Sequence, residues 1–159
     1  MPSPVTIKRG TIGELRANEH GLTRSHYAEV RGFDGARIDW ATLERMEEAG
    51  DAFTLCAWDG LSLVGYVVAQ CLPHPHDGRD FCYVTAIYAR PDCRTFGLCR
   101  SLMNMTADIA RSYGMSNLSW SAGIRDRMPS RFAAYLDRLS RRPGSRLRCT
   151  EVVYEEELI

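Results

Sequence analysis

The chain has 159 residues and a formal net charge of zero, with 45% hydrophobic and 25% charged residues. This length and composition are those of one globular domain, and no apolar run reaches the roughly 20 residues that a membrane helix needs. They exclude a disordered or membrane-embedded protein, and the zero net charge argues against a protein that mainly binds nucleic-acid phosphates. We therefore expect one domain over residues 1–159.

The start of the chain and the cysteines indicate the compartment. The first residues, MPSPVTIKRG, contain no apolar segment of signal-peptide length. The six cysteines are scattered, without a C-x-x-C pair, which predicts reduced thiols that mostly fill the core. We therefore expect a cytoplasmic protein without disulfides.

The first third of the chain predicts a strand followed by helices. Residues 4–9 alternate apolar and polar side chains as a half-buried strand does, and Thr11 with Glu14 forms a capping box for a helix. That helical region is broken at Gly21 and resumes after it. A further helix is predicted over 39–50, with Asp39 as its cap and Gly50 as its end.

The middle of the chain predicts a hairpin, a strand and a long helix. AFTLCAWDG and LSLVGYVVAQCL are β-rich runs joined at Asp59-Gly60, a strong hairpin signal. FCYVTAIYA predicts a third strand that ends before Pro91, and helical spacing runs from Gly97 to Gly114. These runs predict antiparallel neighbours followed by a strand, turn and helix unit.

The last third of the chain predicts a strand, NLSWSA, a helix, SRFAAYLDRL, with Ser130 as its cap, and a closing strand, LRCTEVVYEEEL. Arginines dominate residues 125–148, where Asp126 and Asp137 are the only acidic residues. Such a cluster is typical of a solvated face, and an acidic partner or nucleic acid is the alternative.

The stretch RPDCRTFGLCR carries the strongest functional signal. A turn that leaves a strand and opens a helix points unpaired N–H groups to one spot at the positive end of the helix dipole. Gly97 leaves room there for a ligand to approach the backbone, and Arg94 and Arg100 add positive charge. This arrangement favours phosphate binding.

Residues 94–99, RTFGLC, resemble the motif Q/R-x-x-G-x-G/A of the GNAT family of N-acetyltransferases, with Cys99 where glycine or alanine is usual. The element order over nearly the whole chain resembles that family's fold, and AAYLDRL resembles its tyrosine-bearing helix. The resemblance implies an α/β (α+β) fold, with a mixed central sheet of about six to seven strands and about four flanking helices. HYAEV and PHPH are also similar to small acetyltransferases encoded by phages and prophages.

The resemblance further implies an acetyl-CoA-dependent N-acetyltransferase that transfers acetyl directly to a primary amine in a ternary complex. The amine would be carried by a small molecule or a protein. The resemblance implies that the backbone at Ile87 and Ala89 pairs with the pantetheine arm of the cosubstrate and that the turn after them holds its pyrophosphate. The implied cofactor-binding residues are Ile87, Tyr88, Ala89, Arg94, Thr95, Phe96, Gly97, Leu98, Cys99 and Arg100.

Acyl transfer to an amine needs a base for the amine and an acid for the departing thiolate. Tyr135 occupies the position of the family's usual acid, and a phenol with a pKa near ~10 stays protonated at neutral pH. FCYVTAIYA offers no carboxylate for the base. We predict His76, with His74, His26, Glu29 or a water relay as alternatives. His26, Tyr27 and Glu29 are the predicted acceptor-binding residues.

The sequence also raises the questions of a metal site, of a protein without catalysis and of a dimer. PHPHD brings two histidines and an aspartate together, but its spacing matches no common zinc site, so we expect no metal. A binding module that holds an acyl-CoA without catalysis is the main alternative, and an interaction protein that uses residues 125–148 is the other. Homodimers are common in the resembled family, whereas the sequence identifies no interface.

Overall fold

The computed structural model describes residues 5–31, 38–73, 78, 80–120, 124–125, 128–129, 131–144 and 146. The chain forms two compact units, Met1–Ser121 and Ala122–Ile159. The predicted single domain therefore stays a prediction. Among the described residues, no helix is both long enough and apolar enough to span a membrane.

The first unit contains most of the regular structure. Its strands are β1 (Thr6–Gly10), β2 (Ala52–Asp59), β3 (Ser62–Pro73), β4 (Asp80–Ala89) and β5 (Asn117–Trp120). Its α-helices are α1 (Ile12–Ala17), α2 (Arg24–Arg31), α3 (Trp40–Ala49) and α4 (Phe96–Ser112). A π-helical turn, Glu19–Thr23, precedes α2, and a 3-10 turn, Pro91–Cys93, precedes α4.

The second unit contains β6 (Ile124–Arg125), β7 (Met128–Pro129) and α5 (Arg131–Ser140). The two strands pair antiparallel with each other. The helix predicted from SRFAAYLDRL is confirmed, while its predicted cap, Ser130, and the closing strand LRCTEVVYEEEL lie outside the described residues.

The strands of the first unit form one mixed sheet in the order β1-β2-β3-β4-β5. β1 to β4 are antiparallel neighbours, and β5 runs parallel to β4. The predicted mixed α/β class is confirmed. The predicted number of about six to seven strands is roughly right: five described strands form this sheet, and β6 and β7, with two residues each, pair with each other.

Two apolar clusters cover the two faces of this sheet. Leu98, Leu102 and Ala110 of α4 join residues of β2, β3 and β4 in the first cluster. On the opposite face Ile12, Leu15 and Trp40 join Tyr66 and Tyr88 in the second. Burial of each large apolar side chain contributes about 1.5–3 kcal/mol, so both helical layers are held by the hydrophobic effect.

Local sequence signals determine where several elements begin and end. Both hydrogen bonds of the capping box between Thr11 and Glu14 are present. Asp39 caps α3, and Gly50 ends it with a φ of 80°. One boundary differs from the prediction: α1 ends at Ala17, and the chain passes through the π-helical turn before α2 instead of breaking only at Gly21.

β4 contains a bulge in its middle. Val68 of β3 faces Ala86 and the next residue, Ala69, faces Val84, so Thr85 is the extra residue of β4. The Thr85 hydroxyl donates to the carbonyl of Val68 at 3.2 Å. A bulge interrupts the ladder and increases the local twist. The described residues of β5 pair with β4 from Phe81 to Val84, on the amino-terminal side of the bulge.

Gly65 allows β3 to lie close to the second half of β4. A Cβ at this position would lie 3.0 Å from the backbone oxygen of Tyr88 and 3.5 Å from the Cα of Ala89. We predict that Gly65→Ala lowers the free energy of unfolding by about 1–3 kcal/mol, because β4 must move to relieve the contact. Denaturant unfolding measures this change.

Gly13→Ala is the matched control, because the nearest atom to a Cβ there is the Thr11 hydroxyl oxygen at 3.6 Å. Gly13 lies inside α1, where alanine should stabilise the protein by about 0.5–1 kcal/mol. Equal effects of the two substitutions would contradict a tight approach of β3 to β4 at Gly65.

Candidate active site

The second half of β4 has one edge without a strand partner among the described residues. The N–H of Arg90 donates to the carbonyl of Val64, and backbone directions alternate along a strand. Tyr88, which faces Tyr66, therefore points its backbone groups at β3. Ile87 and Ala89 point theirs to the opposite edge, beyond the end of β5.

The family resemblance predicts that the pantetheine arm of acetyl-CoA pairs with the backbone at this open edge. One of its acceptors is already used, because Nε of Arg94 donates to the carbonyl of Ala89 at 2.7 Å. The other backbone groups at this edge are the N–H groups of Ile87 and Ala89 and the carbonyl of Ile87. Of the three predicted strand residues, only Ile87 and Ala89 present their backbone here.

The turn after β4 leads directly into α4. The N–H groups of Arg94 and Thr95 donate to Pro91 and Cys93 within the turn. The Thr95 hydroxyl caps α4 by accepting from the N–H of Leu98 at 3.1 Å. The N–H of Gly97 has no recorded acceptor among the described residues, and the first N–H groups of α4 lie at the positive end of the helix dipole.

Gly97 leaves this helix terminus open. A Cβ placed at Gly97 would have the Thr95 hydroxyl oxygen as its nearest neighbour outside the helix backbone, at 3.9 Å. Arg100 is exposed, whereas the side chain of Leu98 is buried in the first apolar cluster. An anion at this position would meet backbone N–H groups at Phe96 and Gly97 with Arg100 close in sequence.

Arg94 does not lie free at the edge of the turn. Its two terminal nitrogens donate to both carboxylate oxygens of Glu29 on α2, with the Nη1 contact at 2.6 Å. Its guanidinium also lies over the ring of Tyr88, 5.1 Å from the centroid. Arg94 therefore connects the turn, the end of β4 and α2, a role that the sequence motif does not reveal.

Two of the predicted acceptor-binding residues meet at Tyr88. The His26 ring stacks on Tyr88 with centroids 4.6 Å apart, and the Tyr88 hydroxyl donates to Glu29 at 3.1 Å. Nδ1 of His26 lies 2.6 Å from the hydroxyl oxygen of Tyr66. The third, Tyr27, lies beside His26 with ring centroids 5.6 Å apart.

Burial and hydrogen bonding set the protonation of this cluster. Burial raises the pKa of Tyr66, and burial with the bond to Glu29 raises the pKa of Tyr88. Both phenols thus stay protonated at neutral pH. The hydrogen bond from Arg94 lowers the pKa of Glu29, which keeps this carboxyl ionised. Sequence reasoning missed Tyr66, because its bond to His26 spans 40 residues.

The remaining predicted residues are distributed over the chain. Burial raises the pKa of the Cys99 thiol. Tyr135 is buried on α5 of the second unit, where its ring lies 6.5 Å from that of Phe132. His74 and His76 lie outside the described residues. The described residues contain no cluster of three or more candidate metal ligands.

The ion pair between Glu29 and Arg94 gives a pH-dependent prediction. Their side chains are 44% and 33% exposed, so we expect Glu29→Gln to cost only about 0.5–1 kcal/mol at pH 7. Because the pKa of Glu29 is lowered in the folded state, this contribution is complete above the unfolded-state pKa. It is lost as the pH falls through the folded-state pKa.

Chemical denaturation between pH 7 and pH 2 measures the difference between the wild type and Glu29→Gln. The control is Glu44→Gln, because Arg16 and Glu44 form a pair with a longer contact of 3.4 Å and a more exposed arginine. A Glu29→Gln difference that stays the same at every pH would show that the carboxylate charge contributes nothing.

A sequence model of the Acetyltransferase (GNAT) family matches residues 16–134. Comparison with curated proteins found no match. Among solved structures, an aminoglycoside acetyltransferase from an uncultured soil metagenomic sample is 17% identical, with a TM-score of 0.72 and 99% of each chain covered. A ribosomal-protein-alanine N-acetyltransferase from Brucella melitensis biovar Abortus 2308 is 22% identical, with a TM-score of 0.64, covering 96% of this chain and 100% of that one.

A second aminoglycoside acetyltransferase from soil, in complex with sisomicin, is 16% identical, with a TM-score of 0.69 and coverage of 96% and 97%. At these identities the likeness shows the fold, which confirms the predicted one. None of these matches supports the narrower likeness to phage-encoded enzymes. The family match extends over well more than half of the chain, and the chain therefore belongs to the Acetyltransferase (GNAT) family.

Proposed function

We propose that this protein is an acetyl-CoA-dependent N-acetyltransferase that transfers acetyl directly to a primary amine. The observation that carries the proposal is the open edge of β4 at Ile87 and Ala89. One short turn joins this edge to the amino terminus of α4, whose first N–H groups have no partner inside the helix. An extended arm that ends in phosphates matches both features, since the edge pairs with amides and the helix terminus binds anions.

The site would hold the cosubstrate mainly through backbone groups. Ile87 offers an N–H and a carbonyl and Ala89 an N–H to the amides of a pantetheine arm, like an added strand. Phe96 and Gly97 would donate to the pyrophosphate, with Arg100 nearby. Arg94, which the motif suggests as a phosphate contact, would instead keep the turn in place through Ala89 and Glu29.

Direct transfer agrees with the state of the nearest thiol. The thiolate is the nucleophilic form of cysteine, and burial raises the pKa of Cys99. No basic group is recorded beside this thiol in the described part of the chain. An acyl-enzyme on Cys99 would therefore need a base that these residues do not supply, whereas a ternary complex needs none there.

His26 is the candidate base within the described residues. Glu29, the other candidate on α2, is held ionised by Arg94 and carries a lowered pKa, so it is a poor proton acceptor near neutral pH. Tyr66 and Tyr88 fix the His26 ring by a hydrogen bond and by stacking. His76 stays a prediction beside it, and Tyr135 stays the predicted acid.

The similar structures indicate which amines to test as acetyl acceptors. Two of the similar structures are aminoglycoside acetyltransferases and one is a ribosomal-protein-alanine N-acetyltransferase. We propose an amine-bearing small molecule or protein as the acceptor. Aminoglycosides and peptides with a free amino terminus are the first compounds to screen. A cytoplasmic location and a homodimer remain predictions.

A catalytically inactive acyl-CoA-binding protein is the second candidate. One observation favours it: the bulge residue Thr85 carries no carboxylate, and its hydroxyl is engaged with Val68. Cofactor binding without turnover on the amine panel would support this candidate. Of residues 125–148, which an interaction protein would use, the structure describes 125, 128–129, 131–144 and 146.

Acetyl-CoA binding should depend on the space above Gly97. We expect Gly97→Trp to abolish binding in calorimetric titration, because the indole would fill the position of the phosphates. A Cβ there meets only the Thr95 hydroxyl oxygen, at an ordinary contact distance of 3.9 Å, so we expect the variant to fold, which circular dichroism checks. Gly97→Ala is the control and should weaken binding far less. Unchanged binding in a folded Gly97→Trp variant would place the cosubstrate elsewhere.

The proton-transfer roles can be separated by pH–rate profiles with an accepted amine. We expect His26→Gln to lower kcat about 10²–10⁴-fold and to remove the acidic limb of the profile if His26 is the base. Tyr66→Phe, which removes only the hydroxyl bound to His26, should lower kcat less and shift that limb. His76→Gln tests the other base, and the candidate whose loss leaves the limb unchanged is excluded.

Tyr135→Phe tests the acid in the same assay. Loss of the phenol should lower kcat and leave acetyl-CoA binding intact, because the hydroxyl acts only on the departing thiolate. If the wild-type rate falls at high pH as the phenol ionises, that fall should be absent in the variant. An unchanged kcat would remove Tyr135 from the mechanism.

A further inference from the structure

A pair of cysteines lies between β3 and β4, outside the proposed active site. Cys71 and Cys82 face each other directly in the ladder, and their sulfur atoms are 3.7 Å apart. Both belong to the first apolar cluster, in which Cys71 is 7% and Cys82 0% exposed. Both are free thiols in this structure.

The backbone places this pair at a non-hydrogen-bonded position. The N–H of Cys71 donates to the carbonyl of Asp51, just before β2, at 2.7 Å. The backbone of Cys71 therefore points at β2 and away from Cys82. Opposed residues at such positions have Cα atoms about 4.5 Å apart and their side chains closest together. That separation falls within the range that a disulfide bridges.

We propose that Cys71 and Cys82 form a cross-strand disulfide when the folded protein meets a peroxide or a small-molecule disulfide. The step needs only a change in side-chain torsions, since the strands already hold the two sulfur atoms near each other. This modification site is independent of the proposed acetyltransferase activity.

The chemistry balances with either oxidant. With a peroxide, the Cys71 sulfur attacks the O–O bond, which leaves a sulfenic acid on Cys71 and releases water or an alcohol. The Cys82 sulfur then attacks the Cys71 sulfur, so that the S–S bond forms and hydroxide leaves as water with the thiol proton. With a small-molecule disulfide, a mixed disulfide on Cys71 is the intermediate, and two small thiols are released.

Cys71 is the thiol that should react first. It is the more exposed of the two, and its neighbour Leu72 is 40% exposed at the end of β3. The hydrogen bond between the two thiols, followed by the positive charge of Arg9, lowers the pKa of Cys71, whereas the same hydrogen bond and burial raise the pKa of Cys82. Cys82 is therefore the resolving thiol.

Cys56 provides an internal comparison on the opposite face of the sheet. It is fully buried in the second apolar cluster, and burial raises the pKa of its thiol to about 12. The structure records no second sulfur beside it in the described residues. Burial alone would leave all three thiols inert, so a reaction of Cys71 and Cys82 without Cys56 would report the pairing.

The test is peptide mapping of the native protein after treatment with hydrogen peroxide or oxidised glutathione, with acid quenching and alkylation under non-reducing conditions. We expect a cross-linked peptide that joins Cys71 to Cys82, and a dithiol should remove the cross-link. Cys56 should stay a free thiol that is alkylated only after denaturation. Circular dichroism before and after treatment establishes that the protein stays folded.

Cys82→Ser separates the two thiols. It should stop the reaction at a sulfenic acid on Cys71 that dimedone traps, or at a Cys71 mixed disulfide with glutathione. The proposal is overturned if the folded wild type keeps both thiols reduced while the partly exposed Cys93 or Cys99 is oxidised. It is also overturned if the cross-link forms only in denaturant. Mapping of the wild type alone decides between these results, even if the variant does not fold.

Discussion

The site depends on the unequal pairing of β4 along its length. From Phe81 to Val84 the strand lies between β3 and β5, whereas from Ala86 to Ala89 it pairs with β3 alone among the described strands. Buried backbone groups must find partners, so the unpaired edge favours a molecule that pairs as a strand does. The same chain segment then turns into the amino terminus of α4, where N–H groups favour an anion.

Arg94 holds this arrangement together by using several donors at once. The guanidinium bonds the Ala89 carbonyl at the end of β4 and both carboxylate oxygens of Glu29 on α2, while it covers the Tyr88 ring. A lysine could not form this planar fork. Since the pair is partly exposed, its contribution lies in geometry more than in stability, because it connects α2 to the turn between β4 and α4.

The sequence predicts the elements whose causes are local. The capping box at Thr11, the stop at Gly50 and the hairpin at Asp59-Gly60 each depend on residues within a few positions, so they could be predicted and are confirmed. The family motif likewise identifies Gly97 at the start of α4, but the motif alone cannot say which groups of the turn are already used inside the protein.

Contacts between distant segments could not be predicted in this way. Glu29 and Arg94 are 65 residues apart, and His26 and Tyr66 are 40 apart. Which side chains meet depends on strand register, and a slip of one residue reverses every side chain of a strand. The opposition of Cys71 and Cys82 depends on the same register, so the spacing of the two cysteines along the chain does not reveal it.

The bulge at Thr85 determines that register within β4. Strict alternation would place Tyr88 on the same face as Cys82 and Val84, which pack under α4. The extra residue reverses the alternation, so Ile87 and Ala89 continue that face while Tyr88 joins the second cluster. Tyr88 can therefore contact His26 and Glu29. One inserted residue thus brings Tyr88 to α2 and places Ile87 and Ala89 on the other face of the sheet, so the His26 cluster depends on a single irregularity.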